Sequence, residues 1–159
     1  MDKRAKKRID DKRIYLGIGS QMKDLGQVYL SYKRAKAAVL MAIQFKSPII
    51  FFEDMGVYQI LFSIEDKQIL TEMYHRLLQP LIDYDQKHHG ELEKTLFYYL
   101  IYGESQIAMA KNLYMHRNTI NYRMNKIKEL LNCQLTTFEE KMPYMISYYI
   151  KKVLEEKNS

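Results

Sequence analysis

The stretch SQIAMAKNLYMHRNTINYRMNKIKELLN, from Ser105 to Asn132, decides how the rest of the chain is read. It divides into two helical runs with a tight break. The first extends from about Gln106 to Leu113, with Ser105 placed to cap free backbone N–H groups. The second begins near Arg117, with His116 at the capping position, and continues to Leu131 before Asn132 ends it. Only Tyr114 and Met115 remain for the turn, and two helices joined so closely form a helix-turn-helix.

Periodicity sorts the second run into faces. Ile120, Met124, Ile127 and Leu131 fall within about 60° of one another at 3.6 residues per turn, which makes a core stripe. Asn118, Asn121, Tyr122 and Asn125 lie on the other side, flanked by Arg117, Arg123 and Lys126. No carboxylate occurs until Glu129. An ordinary solvated helix mixes both signs of charge to gain i,i+4 pairs. Amides and guanidinium forks near a helix N-terminus instead suit the base edges and phosphates of a duplex major groove. On that chemistry Asn118, Asn121 and Tyr122 are candidates for base edges. Arg117, Thr119, Arg123 and Lys126 are candidates for phosphates, with Ser105 and the first helix's N–H groups for another. Asn125 belongs to the same face, and His116 is expected to cap more than to contact. Spacing alone leaves open a pair of merely basic surface helices, because such patterns are short.

The wording goes further. Ala110-x-x-Leu113-x-Met115-His116-Arg117-Asn118-Thr119-Ile120-x-Tyr122-Arg123 resembles the C-terminal helix-turn-helix of the PucR/CdaR family of bacterial transcriptional regulators. Leu92-Glu93-Lys94-Thr95-Leu96, Tyr99-Leu100 and Gly103 resemble that family's preceding helix. Leu130-Leu131 and the segment from Thr137 to Leu154 resemble its closing helices. Tyr114 departs from the pattern, standing where many such turns carry Gly. It must either avoid a positive φ or accept strain.

Composition sets the outer bounds. With 47% hydrophobic and 28% charged residues, the chain is an ordinary globular one of 159 residues. No apolar run approaches the roughly 20 residues that span a bilayer, and the start MDKRAKKRIDDKR carries no apolar core of a secretory signal. The single Cys133 excludes an internal disulfide and suits a reducing cytosol. The net charge of +6 is uneven. Residues 1–14 hold seven Lys/Arg against three Asp, and residues 105–132 hold five against Glu129 alone, so each stretch carries +4 and the remainder −2. Basic surplus in two patches favours a polyanionic partner. The Arg117–Lys126 face lacks the Trp/Phe/Leu wedge of an interfacial helix, so double-stranded DNA is expected and a membrane is not.

The first 65 residues have another texture. Arg13 to Ser20 reads as a strand running into a loop at Gly17 and Gly19. A helix follows from about Gly26 to Gln44, with Val28, Tyr32, Ala35, Ala38, Val39 and Ala42 as its apolar stripe. Ile49-Ile50-Phe51-Phe52 reads as a strand buried on both faces, and Glu53-Asp54 open a helix through Ile64. Two strands make only a marginal sheet. The GIGS segment, Ser31-Tyr32-Lys33-x-Ala35 and Phe52-Glu53-Asp54-Met55-Gly56 resemble the last third of the GGDEF-like domain that precedes the helix-turn-helix in the CdaR branch. That resemblance implies a fragment of a longer regulator, or a sheet completed by a partner chain. Glycines at 17 and 19 leave open a phosphate loop, as in an enzyme fragment.

A helix is expected from Asp66 to about Ile82, ended or kinked by Pro80, then a polar linker from Asp83 to Glu91. His88-His89 invites a metal reading, but adjacent side chains point apart and nothing completes a ligand set. A further helix from Glu91 to Tyr102, with Leu92, Leu96, Tyr99 and Leu100 inward and Gly103 at its end, would support the helix-turn-helix. Thr137 and Glu140 form a capping-box pair. Pro143 is expected to start a second, longer helix carrying Phe138, Met142, Met145, Ile146, Tyr149, Ile150, Val153 and Leu154 on a wide apolar side. Tyr144, Tyr148 and Tyr149 offer a dimer contact or partly exposed rings.

The expected fold class is therefore mainly α: a C-terminal helix-turn-helix bundle preceded by a partial α/β (GGDEF-like) segment. The expected divisions are 1–65, a connecting helix and linker over 66–90, and 91–159. The resemblance implies a cytoplasmic, nucleoid-associated regulator with no enzymatic activity, cofactor or metal, often an activator of catabolic genes. It implies a homodimer on paired half-sites, with any small-molecule effector bound upstream. A module whose basic helix face meets an acidic protein is the alternative.

Overall fold

The computed structural model describes residues 14–103 and 105–155. The basic run at 1–13, with the charge and signal-peptide readings made on it, lies outside the described residues. The described residues divide into two compact units, 14–65 with 155 and 66–154 without 104.

In the first unit, strands β1 (Leu16–Ile18) and β2 (Ile49–Phe51) pair in parallel with Leu16 opposite Ile49 and Ile18 opposite Phe51. The connection is helix α1 (Val28–Gln44), followed after β2 by a 3-10 turn, Phe52–Met55, and helix α2 (Val57–Ser63). Ala37, Ala38 and Met41 of α1 pack with Phe52 and Met55. Gly17 and Gly19 let α1 lie directly on β1. A Cβ at Gly17 would sit 2.2 Å from the Val39 nitrogen, and one at Gly19 2.2 Å from the Ser31 carbonyl oxygen. The glycines thus serve close backbone approach, and the helix occupies the space where a phosphate cradle was the open alternative. Two expectations are corrected. Val28 and Tyr32 are exposed, whereas the rest of the expected stripe holds: Ala38 and Ala42 are buried, and Ala35 and Val39 lie against Gly17 of β1. The Ile49–Phe51 strand is not buried on both faces: Leu16, Ile18 and Phe51, on one side of the pair by register, are exposed.

The second unit is helical. Helix α3 (Lys67–His88) runs unbroken through Pro80, and Asp66 caps it by accepting from the Gln68 N–H. The segment read as a polar linker is instead its last turns. Leu78 and Leu81, fully buried on either side of Pro80, hold both halves to one core and offset the missing backbone donor. His88 closes the helix and His89 takes a left-handed cap at φ 51°. Asp85 then reaches over the turn, accepting from the N–H groups of Leu92 at 2.7 Å and Glu93 at 2.9 Å. It caps helix α4 (Leu92–Tyr102) from outside the helix. Gly90 leaves room for this cap, since a Cβ would lie 2.6 Å from Asp85 Oδ1 and the carboxylate would have to shift.

Helices α5 (Gln106–Leu113), α6 (Arg117–Leu131) and α7 (Phe138–Leu154) complete the unit. One core joins Leu78 and Leu81 of α3, Leu92, Leu96 and Tyr99 of α4, Met109 and Leu113 of α5, and Ile120, Met124 and Ile127 of α6. Leu135 is buried in the α6–α7 connection at φ 57°, and its carbonyl accepts from the Tyr99 hydroxyl at 3.0 Å. The Thr137–Glu140 capping box is present: the Glu140 N–H donates to Thr137 Oγ1 at 3.2 Å and the Thr137 N–H to Glu140 Oε2 at 3.3 Å. Helix α7 does not restart at Pro143. It is continuous, because Tyr144 and Ser147 are buried just past the proline and carry the helix across the lost bond.

Candidate nucleic-acid interface

The α5–turn–α6 geometry follows from local caps. Ser105 Oγ accepts from the Ala108 N–H at 3.4 Å and starts α5. At the other end Tyr114 adopts a left-handed conformation at φ 53°, and the Met115 N–H bonds back to the Ala110 carbonyl. Tyr114 therefore takes the strained option, and its ring is 96% exposed, so nothing crowds it. His116 is extended, and its Nδ1 accepts from the Asn118 N–H at 3.3 Å, which caps α6 as the sequence suggests. Asn132 ends α6 in a left-handed cap.

The core stripe of α6 is where periodicity puts it: Ile120, Met124 and Ile127 are buried and Leu131 is half-buried. Arg117, Asn118, Thr119, Tyr122 and Asn125 are exposed along one side, with His116 and Ser105 exposed beside them. Asn121 and Lys126 are half-buried. The positive dipole end lies at the Arg117 end, which suits an anion, while the N–H groups of Asn118, Thr119 and Ile120 bond back to His116. The first acid, Glu129, is two turns or more away and is held at 2.7 Å by Lys126. That bond keeps the Lys126 ammonium above the usual lysine range.

Arg123, Lys126 and Tyr122 make contacts with the helices beside α6. Arg123 stands about 60° from Ile120 around the axis, at the margin of the core stripe. Its Nη1 donates to Glu91 Oε2 at 3.1 Å and to Thr95 Oγ1 at 3.3 Å, and its side chain is 18% exposed. Lys126 lies 5.8 Å from the ring centre of Tyr84 on α3. A hydrogen bond with Tyr122, then partial removal from water, holds the Tyr84 phenol above the usual tyrosine range. So α6 is braced from α4 on one flank and α3 on the other. Glu91, Thr95, Asp85 and Tyr84 are the residues sequence reasoning missed. Glu91, Thr95 and Tyr84 lie far along the chain from their partners on α6, where no helical period links them, and Asp85 acts across a turn on the N–H groups of Leu92 and Glu93.

Among the described residues no group of three or more His, Cys, Asp or Glu is placed to hold a metal ion, and no helix is long and apolar enough to cross a membrane.

Comparison with known proteins agrees with this geometry. Residues 92–150, from the start of α4 through most of α7, match the model of the PucR C-terminal helix-turn-helix domain. The proline-responsive transcriptional activator PutR of Bacillus subtilis is 32% identical over 143 residues, covering 87% of this chain and 34% of its own length. The carbohydrate diacid regulator of Escherichia coli is 28% identical, over 82% of this chain and 34% of its own. The DNA-binding transcriptional activator AdeR of Bacillus subtilis is 24% identical, over 87% and 34%. The chain thus spans about a third of the length of the curated relatives it matches. The α4–α7 segment, with its exposed amide and guanidinium side on α6, belongs to the PucR C-terminal helix-turn-helix family.

Proposed function

We propose that this chain is a sequence-specific DNA-binding transcriptional regulator that reads double-stranded DNA with α6. The observation that carries the reading is the exposed side of α6 from Arg117 to Asn125, rich in amides, free of carboxylate and held on a closed core. Asn118, Asn121 and Tyr122 are assigned to base edges, with Asn125 beside them; Asn amides suit adenine N6 and N7. Arg117 and Thr119 are assigned to phosphates, with Lys126 able to join them if it leaves Glu129, and Ser105 with the start of α5 to a further phosphate. His116 shapes the entry to α6.

A single helix-turn-helix buries too little surface for strong discrimination, so a homodimer on paired half-sites is part of the proposal. Its support is a stripe on α7, Phe138, Met142, Met145 and Tyr149, spaced at helical period and between 36% and 66% exposed. Sedimentation of the wild type against Met142→Glu with Met145→Glu tests it: a loss of dimer is expected, and an unchanged mass rejects that face. Activation of transcription, in response to a small metabolite recognised outside the third matched here, is proposed from the printed functions of the relatives. The first unit is proposed as part of a larger α/β layer of GGDEF-like type, supported by the exposed apolar side of β1 and β2, since parallel sheets are ordinarily covered on both faces.

The test of DNA reading is a randomised-duplex selection followed by anisotropy titration. A recovered palindrome with two half-sites supports the proposal. Recovery of no preferred sequence, with duplex affinity unaffected by Asn118→Ala and Asn121→Ala, returns the chain to the class of protein-interaction modules.

A further inference from the structure

The α6 flank facing α4 holds an acid and a cation in a place where a DNA-binding surface ordinarily tolerates no acid. Glu91 is next to the start of α4, and its carboxylate meets both Lys94 at 3.1 Å and Arg123 at 3.1 Å. Those two cations, Lys94 first, hold the Glu91 carboxyl below the usual glutamate range. Thr95, fully buried, donates its hydroxyl to the Glu91 carbonyl at 2.7 Å and accepts from Arg123 Nη1. The Glu91 carbonyl also accepts from the Thr95 N–H at 2.9 Å. Asp85 fixes the same end of α4 through the Leu92 and Glu93 N–H groups. The guanidinium of Arg123 therefore reaches from α6 into a rigid, doubly anchored helix start.

Resting on the DNA reading above, we propose that Arg123 is a positioning residue, which sets the rotation of α6 about its own axis by bonding Glu91 and Thr95, rather than a phosphate contact. Drawing Arg123 out to a phosphate would break two hydrogen bonds and leave the Glu91 carboxylate beside a polyanion. Left in place, the bond holds α6 at one rotation. The Asn118–Tyr122–Asn125 side then meets the groove at a fixed angle. A rotation of α6 moves every one of these side chains together, so its loss damages discrimination more than total affinity.

The sign of one substitution separates the two roles. Glu91→Gln removes a negative charge near the interface, so if Glu91 were only a nearby acid, binding to every duplex would tighten. On the positioning account, Glu91→Gln instead lowers the ratio of selected to random duplex affinity by about tenfold, the scale of one mismatched base pair. Arg123→Ala lowers that ratio similarly, Arg123→Lys restores part of it, and the double variant is no worse than Arg123→Ala alone. The slope of log K against log salt stays at the wild-type value in all of them, whereas Arg117→Ala flattens it by about 0.9. The experiment is an anisotropy titration of the full chain on both duplexes over a salt series, with active fraction measured and thermal unfolding followed for each variant. Should Arg123→Ala not fold, Glu91→Gln carries the test alone. Tighter or unchanged binding by Glu91→Gln, or a slope flattened by about 0.9 in Arg123→Ala, overturns the positioning role. A wild type that discriminates no duplex overturns the DNA reading itself, a result distinct from either.

Discussion

At the scale of single residues, two positions make opposite use of the left-handed region of backbone space. Tyr114 sits there with an exposed ring and no packing return, as the price of a two-residue turn between α5 and α6. Tyr114→Gly is expected to raise stability in urea unfolding by up to about 1 kcal/mol, since a β-carbon in this region costs on that order. A loss instead would mean the ring contributes packing in solution. Leu135 is left-handed but buried, with Tyr99 bonding its carbonyl. Tyr99→Phe strands that acceptor and should cost about 1–3 kcal/mol by the same measurement; a change within error would mean that the carbonyl finds water. Tyr148, half-buried with its hydroxyl donating to the Glu93 carbonyl at 2.7 Å, is pushed well above the usual tyrosine range, chiefly by removal of its ring hydroxyl from water. Its folded pKa is raised, so its contribution is complete below the unfolded value of about 10 and is lost as pH rises beyond it. Alkaline unfolding should thus begin near that pH and be shallower in Tyr148→Phe. An identical slope in both proteins would assign it to other groups.

At the scale of elements, caps and periods were legible in the chain, and long-range rescue was not. Ser105, His116 and the Thr137–Glu140 pair mark their helix starts because a cap is a local hydrogen bond that needs only neighbouring residues. The α6 stripe was legible for the same reason. Pro80 and Pro143 misled, because a proline's local cost is visible in sequence while the burial of Leu78, Leu81, Tyr144 and Ser147 that outweighs it is tertiary. In α1 the stripe holds from Ala35 to Ala42 and fails only in the first turns, where Val28 and Tyr32 are exposed. The Arg123–Glu91 bond spans 32 positions, so the sequence offers Arg123 as a phosphate contact without any sign of that bond. Gly90→Ala tests the bracing at this scale. Its Cβ would meet Asp85 Oδ1 at 2.6 Å, so the Asp85 cap must shift and α4 should fray. Faster amide exchange at Leu92 and Glu93 is expected, and unchanged protection would show that the cap is dispensable.

At the scale of the whole molecule, the second unit is a helical body whose core is shared by α3, α4, α5 and α6, with α7 closing it. That body turns one side of α6 outward and ties both flanks down, by Glu91 and Thr95 on one and Tyr84 on the other. What it presents is a fixed surface, and the match of residues 92–150 to the PucR C-terminal helix-turn-helix domain gives that surface its setting. The most direct test is an amide chemical-shift titration of the full chain with the selected duplex. The account predicts the largest perturbations at Arg117, Asn118, Thr119, Asn121, Tyr122 and Asn125, with smaller changes across α7. Perturbations that leave the Arg117–Asn125 amides unmoved while the duplex is bound would contradict it.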